Sequence, residues 1–224
     1  MTNFIGNRVA DLLDAPDAKL VIERAQAILN DEALRRKEFR EWLRDDVKAE
    51  FINGEVIMHS PAKEKHLEAT ENLSTLLRMY VNLNSLGTVH SEKALVALTR
   101  NDYEPDICYW SADKANDFFS DQMKYPAPDL VVEVLSKSTA ERDKGVKFED
   151  YAAHGVCEYW IIDPTRQTVE QYQLDEEFMA FETVATLTIK DTLSSKTVSG
   201  FQIPVRSIFD RKVNLTVLQE MLKQ

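Results

Sequence analysis

Apolar and polar positions change period several times along the chain. Residues 22–43 carry apolar groups at Ile22, Ala25, Ile28 or Leu29, Leu34, Phe39 and Trp42 or Leu43. That is a helical spacing with breaks, and Asn30-Asp31 is a point where two helices can separate. Residues 47–59, VKAEFINGEVIMH, alternate around Asn53-Gly54, a two-residue hairpin signal. Ser60-Pro61 reads as an N-cap followed by proline at the first helical position. From Lys63 to about Leu83, His66, Thr70, Leu73, Leu77 and Tyr80 share one helical face. TVHSEKALVAL and EPDICYW read as strands, and residues 111–127 as a polar loop.

PDLVVEVLS is apolar on both faces and predicts a central strand covered on both sides. Ser138-Thr139-Ala140-Glu141 fits a capping box. The helix it opens runs to about His154, with Gly155 just past its end. CEYWIID follows as a strand closed by Pro164. Strand, helix and strand within about 35 residues form a βαβ-sized unit. Short strand-like pieces continue to about Val205, and VNLTVLQEMLKQ predicts a closing helix.

The pattern isolates one carboxylate, Glu133, inside LVVEVL. An acid among Val and Leu is costly unless a cation or a hydrogen-bond donor meets it. Asp106, on the EPDICYW strand, is its natural partner if the two strands are adjacent. Two close carboxylates repel unless a cation bridges them, and Mg²⁺ suits such hard oxygen ligands. The bland alternative has Asp106 capping a turn and Glu133 paired with a buried lysine or arginine. On the following helix, Lys144, Lys147 and Tyr151 share a face, so Lys147 can lean over the end of the Glu133 strand. It is equally placed to pair with Asp143 or Asp150. Ser136 can offer a hydroxyl to the site or to the turn. His66 and Glu55 are secondary candidates, against readings as a core-edge histidine and a surface strand glutamate. Asp129 is in phase with Glu133 but begins the strand, as a capping group would.

Composition narrows the field. With 224 residues, 44% hydrophobic, the chain suits one ordinary domain with an appendage. We place the appendage at residues 1–45 and the domain at 46–224. No apolar run is long enough for a membrane span, and no secretion signal is visible at the start. Two cysteines, Cys108 and Cys157, in strand-like segments predict free thiols and a cytoplasmic location. The net charge of −11, from 27 basic and 38 acidic residues, denies the chain bulk attraction to phosphates; acting on nucleic acid would require a local basic surface or divalent cations. GxSxG, P-loop, GxGxxG and HExxH motifs are absent.

The pieces NGEVIMHSPAKEKHLEATENL, EPDICYW and PDLVVEVLSKSTAERDKGVKFEDYAAHGVCEYWIIDP, and more loosely VSGFQIPVRSIFD, resemble the Uma-type restriction endonucleases, a branch of the PD-(D/E)XK nuclease superfamily. The resemblance spans roughly residues 45 to 212. It implies an α/β (α+β) fold of restriction-endonuclease type: a mixed central sheet flanked by helices, here with an N-terminal helical extension. It implies Mg²⁺-dependent (or Mn²⁺-dependent) hydrolysis of nucleic-acid phosphodiesters, DNA first among them, with homodimerisation as an option. Asp106 takes the place of the first metal-binding acid and Glu133 that of the second. The lysine two residues after the glutamate is replaced by Leu135, which points to Lys147 as the migrated lysine. Glu55 and His66 match positions that recur in the family's N-terminal part. The alternative is a nuclease-fold binding or regulatory module that no longer cleaves.

Overall fold

The computed structural model describes residues 9–44 and 46–223. Helix α1 (Ala18–Trp42) leads into strands β1 (Ala49–Ile52) and β2 (Glu55–Met58), then α2 (Glu64–Leu83). Strands β3 (Gly87–Ser91), β4 (Leu95–Ala97), β5 (Asp102–Tyr103) and β6 (Ile107–Ser111) follow, with the turn α3 (Ala112–Ala115) and β7 (Lys124–Tyr125). Strand β8 (Leu130–Val134), helices α4 (Ala140–Asp143) and α5 (Val146–Ala153), and β9 (Glu158–Asp163) make the central unit. The chain ends with β10 (Thr168–Asp175), β11 (Ala180–Thr188), β12 (Thr192–Ser194), β13 (Gln202–Pro204), α6 (Arg206–Phe209) and α7 (Arg211–Met221).

The main sheet has the order β11-β10-β9-β8-β6-β3. Strands β8 and β9 are parallel, as the crossover through α5 requires, and the other neighbours are antiparallel. A second sheet, β2-β1-β5-β4-β7, lies beside it. Strand β8 is buried along its whole length. Its alternate residues Leu130, Val132 and Val134 pack with Leu73, Leu76 and Leu77 of α2. Val131 faces the other way, toward Tyr151 and Ala152 of α5 and Tyr103 of the second sheet. By strand alternation Glu133 shares that second face. The expected mixed sheet between helices is therefore present.

Local chemistry explains where the elements begin and end. Asn53 (φ 49°) and Gly54 (φ 86°) form the hairpin turn, and Ile52 pairs with Glu55 across it. Helix α2 starts at Glu64 rather than at Pro61, because the chain is still engaged with the hairpin: the His59 N–H donates to Lys48 O at 3.1 Å. Helix α1 runs unbroken through Asn30-Asp31, whose low helix propensity costs only tenths of a kcal/mol each, and Asp31 pairs with Arg35 at 2.9 Å. The single helix expected over 138–154 is two, split at Gly145. A Cβ at Gly145 would lie 2.8 Å from Glu141 O, so only glycine allows this approach. The capping box does not form: Thr139 is the N-cap without a side-chain cap bond, and its hydroxyl meets Ser136 Oγ at 3.0 Å.

Helix α1 is clamped to the second sheet by its C-terminal half. Arg36 and Arg40 both bind Asp102, at 2.6 and 2.7 Å, and Asp102 is fully buried. Phe39 packs on Phe51 with ring centroids 5.7 Å apart. Every residue from Lys19 to Asp31 is exposed. Among the described residues no helix is long and apolar enough to cross a membrane, and both cysteines are free thiols.

Candidate active site

Strand register brings the two acids singled out by sequence together. Ile107 of β6 pairs with Val132 of β8, and Cys108 with Val131. Asp106 immediately precedes β6 and Glu133 immediately follows Val132, so the two acids lie at the same end of this ladder. Asp106 Oδ2 accepts the Val134 N–H at 2.8 Å, which fixes its carboxylate against the end of β8. Both acids are buried.

Lys147, 1% exposed, reaches Glu133 from α5. Its Nζ lies 2.8 Å from Glu50 Oε1, 3.1 Å from Glu133 Oε1 and 3.4 Å from Asp143 Oδ1. The split at Gly145 puts Asp143 one turn before Lys147 and on the same side. Tyr151, one turn later, sends its hydroxyl to Glu133 Oε1 at 3.4 Å. Lys144, on the same predicted face, turns outward and pairs with Glu170 at 2.6 Å.

A second cation, Lys48, enters from the residue before β1. It contacts Glu92 and lies 3.4 Å from Asp106 Oδ1. His66, in the first turn of α2, approaches the same oxygen with Nε2 at 3.4 Å. Glu92 follows β3 in the left-handed region (φ 67°) and its N–H donates to Asp106 O at 3.0 Å. A non-glycine residue held there is strained, and the surrounding contacts must maintain it.

The charges are unequal. Six carboxylates (Glu50, Glu92, Glu104, Asp106, Glu133, Asp143) crowd around Lys48 and Lys147, with Lys93, His59 and His66 beside them, so acids outnumber lysines. Protonation shifts follow from this crowding. Burial opposes charge on Lys147, but Glu133, Glu50 and Asp143 outweigh it and hold its pKa well above the usual value. Burial also opposes ionisation of Glu50, yet Lys147 and His59 bring its pKa down to about 2. Asp106 is likewise held at about 2, burial being overcome by His66, Lys48 and the Val134 N–H. Glu133 goes the other way: burial raises its pKa well above normal, Lys147 only partly offsets this, and Asp143 and Asp106 add to it. Burial lifts Glu104 to about 7. Asp106 and Glu50 thus favour the anionic form and Lys147 the cationic form, while burial pushes Glu133 toward its protonated form.

The remaining predicted residues are placed elsewhere. Glu55 is exposed on β2 and has no contact with this group; the hairpin contributes Glu50 from its other strand. Ser136 bonds within its own turn, to Ser138 and Thr139. Asp129 is buried, accepts the Ser111 N–H at 2.7 Å and pairs with Lys114 at 2.7 Å. Glu50, Lys48 and Glu92 were not singled out by the sequence, whereas Asp143 was named only as a pairing partner of Lys147, which it is. The one available signal was the hairpin phase, which puts Lys48 and Glu50 on one side of β1.

Comparison with known proteins matches residues 36–206 to the Uma2 family model, described as "Putative restriction endonuclease". The chain belongs to the Uma2 family. Two uncharacterized proteins of Synechocystis sp. are similar to it. One is 34% identical over 128 residues, covering 56% of this chain and 72% of that protein. The other is 26% identical over 147 residues, covering 64% and 76%. The fold is similar to a crystal structure titled a putative nuclease belonging to DUF820, from Anabaena variabilis, with a TM-score of 0.65 at 17% identity, covering 81% of this chain and 97% of that one. The Uma2 match begins at residue 36, inside α1.

Proposed function

We propose that this Uma2 protein is a metal-dependent endonuclease that hydrolyses phosphodiester bonds in nucleic acid, DNA being the preferred substrate. The observation that carries this reading is the placement of Asp106 and Glu133 at the same end of β6 and β8, where Asp106 Oδ2 accepts the Val134 N–H at 2.8 Å and the Lys147 ammonium lies 3.1 Å from Glu133. The donor set fits a divalent cation. It is rich in hard oxygens, it carries excess negative charge when its acids are ionised, and it includes Asp143 Oδ2, which is buried without a hydrogen-bond partner.

Asp106 and Glu133 would hold the ion, Mg²⁺ or Mn²⁺. Such an ion supplies Lewis-acid polarisation of a phosphoryl oxygen and lowers the pKa of a coordinated water. The chain's own groups define the rest. Asp106 is already ionised and fixed by the Val134 N–H. Burial favours the protonated form of Glu133, so cation binding there would be linked to proton release. Lys147 remains charged, so it orients water and stabilises negative charge rather than accepting a proton. In this reading residues 46–224 form the nuclease domain and residues 1–45 an extension held by Arg36 and Arg40. The reading also places the protein in the cytoplasm, with a homodimer as one form of assembly.

A second reading, a nuclease-fold module that binds without cleaving, is favoured by one observation: Lys147 is already neutralised by three carboxylates, as in a purely structural cluster. Plasmid nicking with Mg²⁺ or Mn²⁺ separates the two. Cleavage abolished by Asp106→Asn and Glu133→Gln supports the enzyme. Inactivity on plasmid, linear and single-stranded DNA with either ion, together with retained binding, supports the module.

A further inference from the structure

Glu92 and His66 face Asp106 from the side opposite β8, and the proposed nuclease chemistry does not use them. A ligand atom from each of His66, Glu92 and Asp106 lies within 4.8 Å of the others, and His66 Nε2 and Asp106 Oδ1 are 3.4 Å apart. Two atoms each about 2.1 Å from one ion lie at most about 4.2 Å apart, so a closure of under about 1 Å makes the three a coordination set. The three arrive on independent elements: α2, the residue after β3, and the residue before β6. Glu92 is held in its strained conformation while its backbone is bonded to Asp106. His66 Nδ1 is buried without a partner, which leaves Nε2 as the ring atom aimed at the carboxylates. Positive charge is already stabilised at this point, because Lys48 contacts Glu92 and lies 3.4 Å from Asp106. Lys48 is partly exposed, so it has a path to solvent when displaced.

We infer that His66, Glu92 and Asp106 form a second divalent-cation position, which takes a transition-metal ion in preference to Mg²⁺ and which Lys48 guards as a resident counter-cation. Selectivity follows from the imidazole: Mg²⁺ favours all-oxygen surroundings, whereas nitrogen donors suit transition metals. The inference deepens the nuclease reading, since both positions share Asp106, and a pair of ions flanking one carboxylate is an arrangement suited to phosphoryl chemistry.

The test uses the full chain and Mn²⁺ as probe, with binding followed by calorimetry and by pulsed electron paramagnetic resonance, in which an imidazole ligand gives ¹⁴N modulation. The wild type should bind Mn²⁺ more tightly than Mg²⁺ and show that modulation. His66→Gln should remove the modulation, and His66→Gln and Glu92→Gln should each weaken Mn²⁺ by at least about tenfold, the loss typical even of outer-shell partners. Lys48→Met should tighten Mn²⁺ binding several-fold, a gain that damage to the fold would not produce. If Mn²⁺ binding is lost in Glu133→Gln but unchanged in His66→Gln and Glu92→Gln, with no ¹⁴N signal in the wild type, the second position is overturned while the nuclease reading stands. If the His66 and Glu92 variants weaken Mn²⁺ and Glu133→Gln does not, the position stands and the assignment of Glu133 as a ligand falls. Absence of any Mn²⁺ binding overturns both.

Discussion

Replacing Lys147 with Met keeps the apolar stem and removes the ammonium from three buried carboxylates. The attraction to Glu50 alone, at 2.8 Å, is about 6 kcal/mol at an effective dielectric of 20. That gross figure is offset because the lysine's own desolvation disappears, and because Glu133 and Asp143 can keep protons. Breaking a buried ion pair by removing one partner costs about 3–5 kcal/mol, and we expect that loss at pH 8 in EDTA. For a chain of this size it corresponds to a fall in Tm of roughly 6–20 °C. The sign of the pH dependence is fixed: without Lys147 the carboxylates have raised folded-state pKa values, so the destabilisation grows as pH rises above their unfolded values and shrinks toward pH 5. Urea unfolding followed by circular dichroism at pH 5.5 and pH 8 measures both quantities. A loss below about 1 kcal/mol, or an equal loss at the two pH values, would refute the charge cluster as the reason Lys147 is buried.

Glu133→Gln should leave metal-free stability at pH 8 unchanged or up to about 2 kcal/mol higher, because a carboxyl with a raised pKa opposes folding once it ionises; the same variant should lose the Mg²⁺-induced rise in Tm, and a large metal-free loss would contradict this. Glu104, at about 7 in the fold against 4.5 unfolded, contributes stability that is present below pH 4.5 and lost as pH rises through 7, at most about 3 kcal/mol. Glu104→Gln should therefore flatten the stability profile between pH 5 and 8 in EDTA, and an unchanged slope would count against its burial. Asp102→Asn should cost about 3–5 kcal/mol by leaving Arg36 and Arg40 unpaired. The arginines overcome burial and depress the Asp102 pKa, so its contribution holds above the unfolded value near 4 and fades as pH falls below it. Acid titration of the wild type should show the onset of that loss, and Asp102→Asn should lack it.

The parts of the fold readable in the sequence were those set by local chemistry. Asn53-Gly54 fixes a turn whatever surrounds it, and the unbroken apolar run around Glu133 admits only a strand covered on both faces. Spacing also brought Lys147 and Tyr151 to one face of their helix. Glu50 was hidden because β1 is buried on both sides: Ala49 and Phe51 face α1, while Glu50 faces the site, and only knowledge that α1 covers the hairpin would reveal it. Glu92 was hidden because its position depends on a backbone bond to Asp106, fourteen residues away. The two helices over 140–153 were merged because the close approach of Gly145 to Glu141 is a three-dimensional constraint with no periodic signature. Asp106 and Glu133 were chosen for being acids beside apolar strands, but which cation meets each acid depended on chain crossings that no window of sequence records.

The uncovered stretch of α1 has a practical corollary. From Lys19 to Asp31 it forms an exposed stretch roughly 20 Å long between the buried residues Ala18 and Glu32. A fluorophore or affinity handle attached within this stretch would sit on a solvent-exposed helical surface, away from the Asp102 clamp at Arg36 and Arg40. Labelling there offers a means of immobilising the protein for single-molecule observation while its chemistry is left untouched.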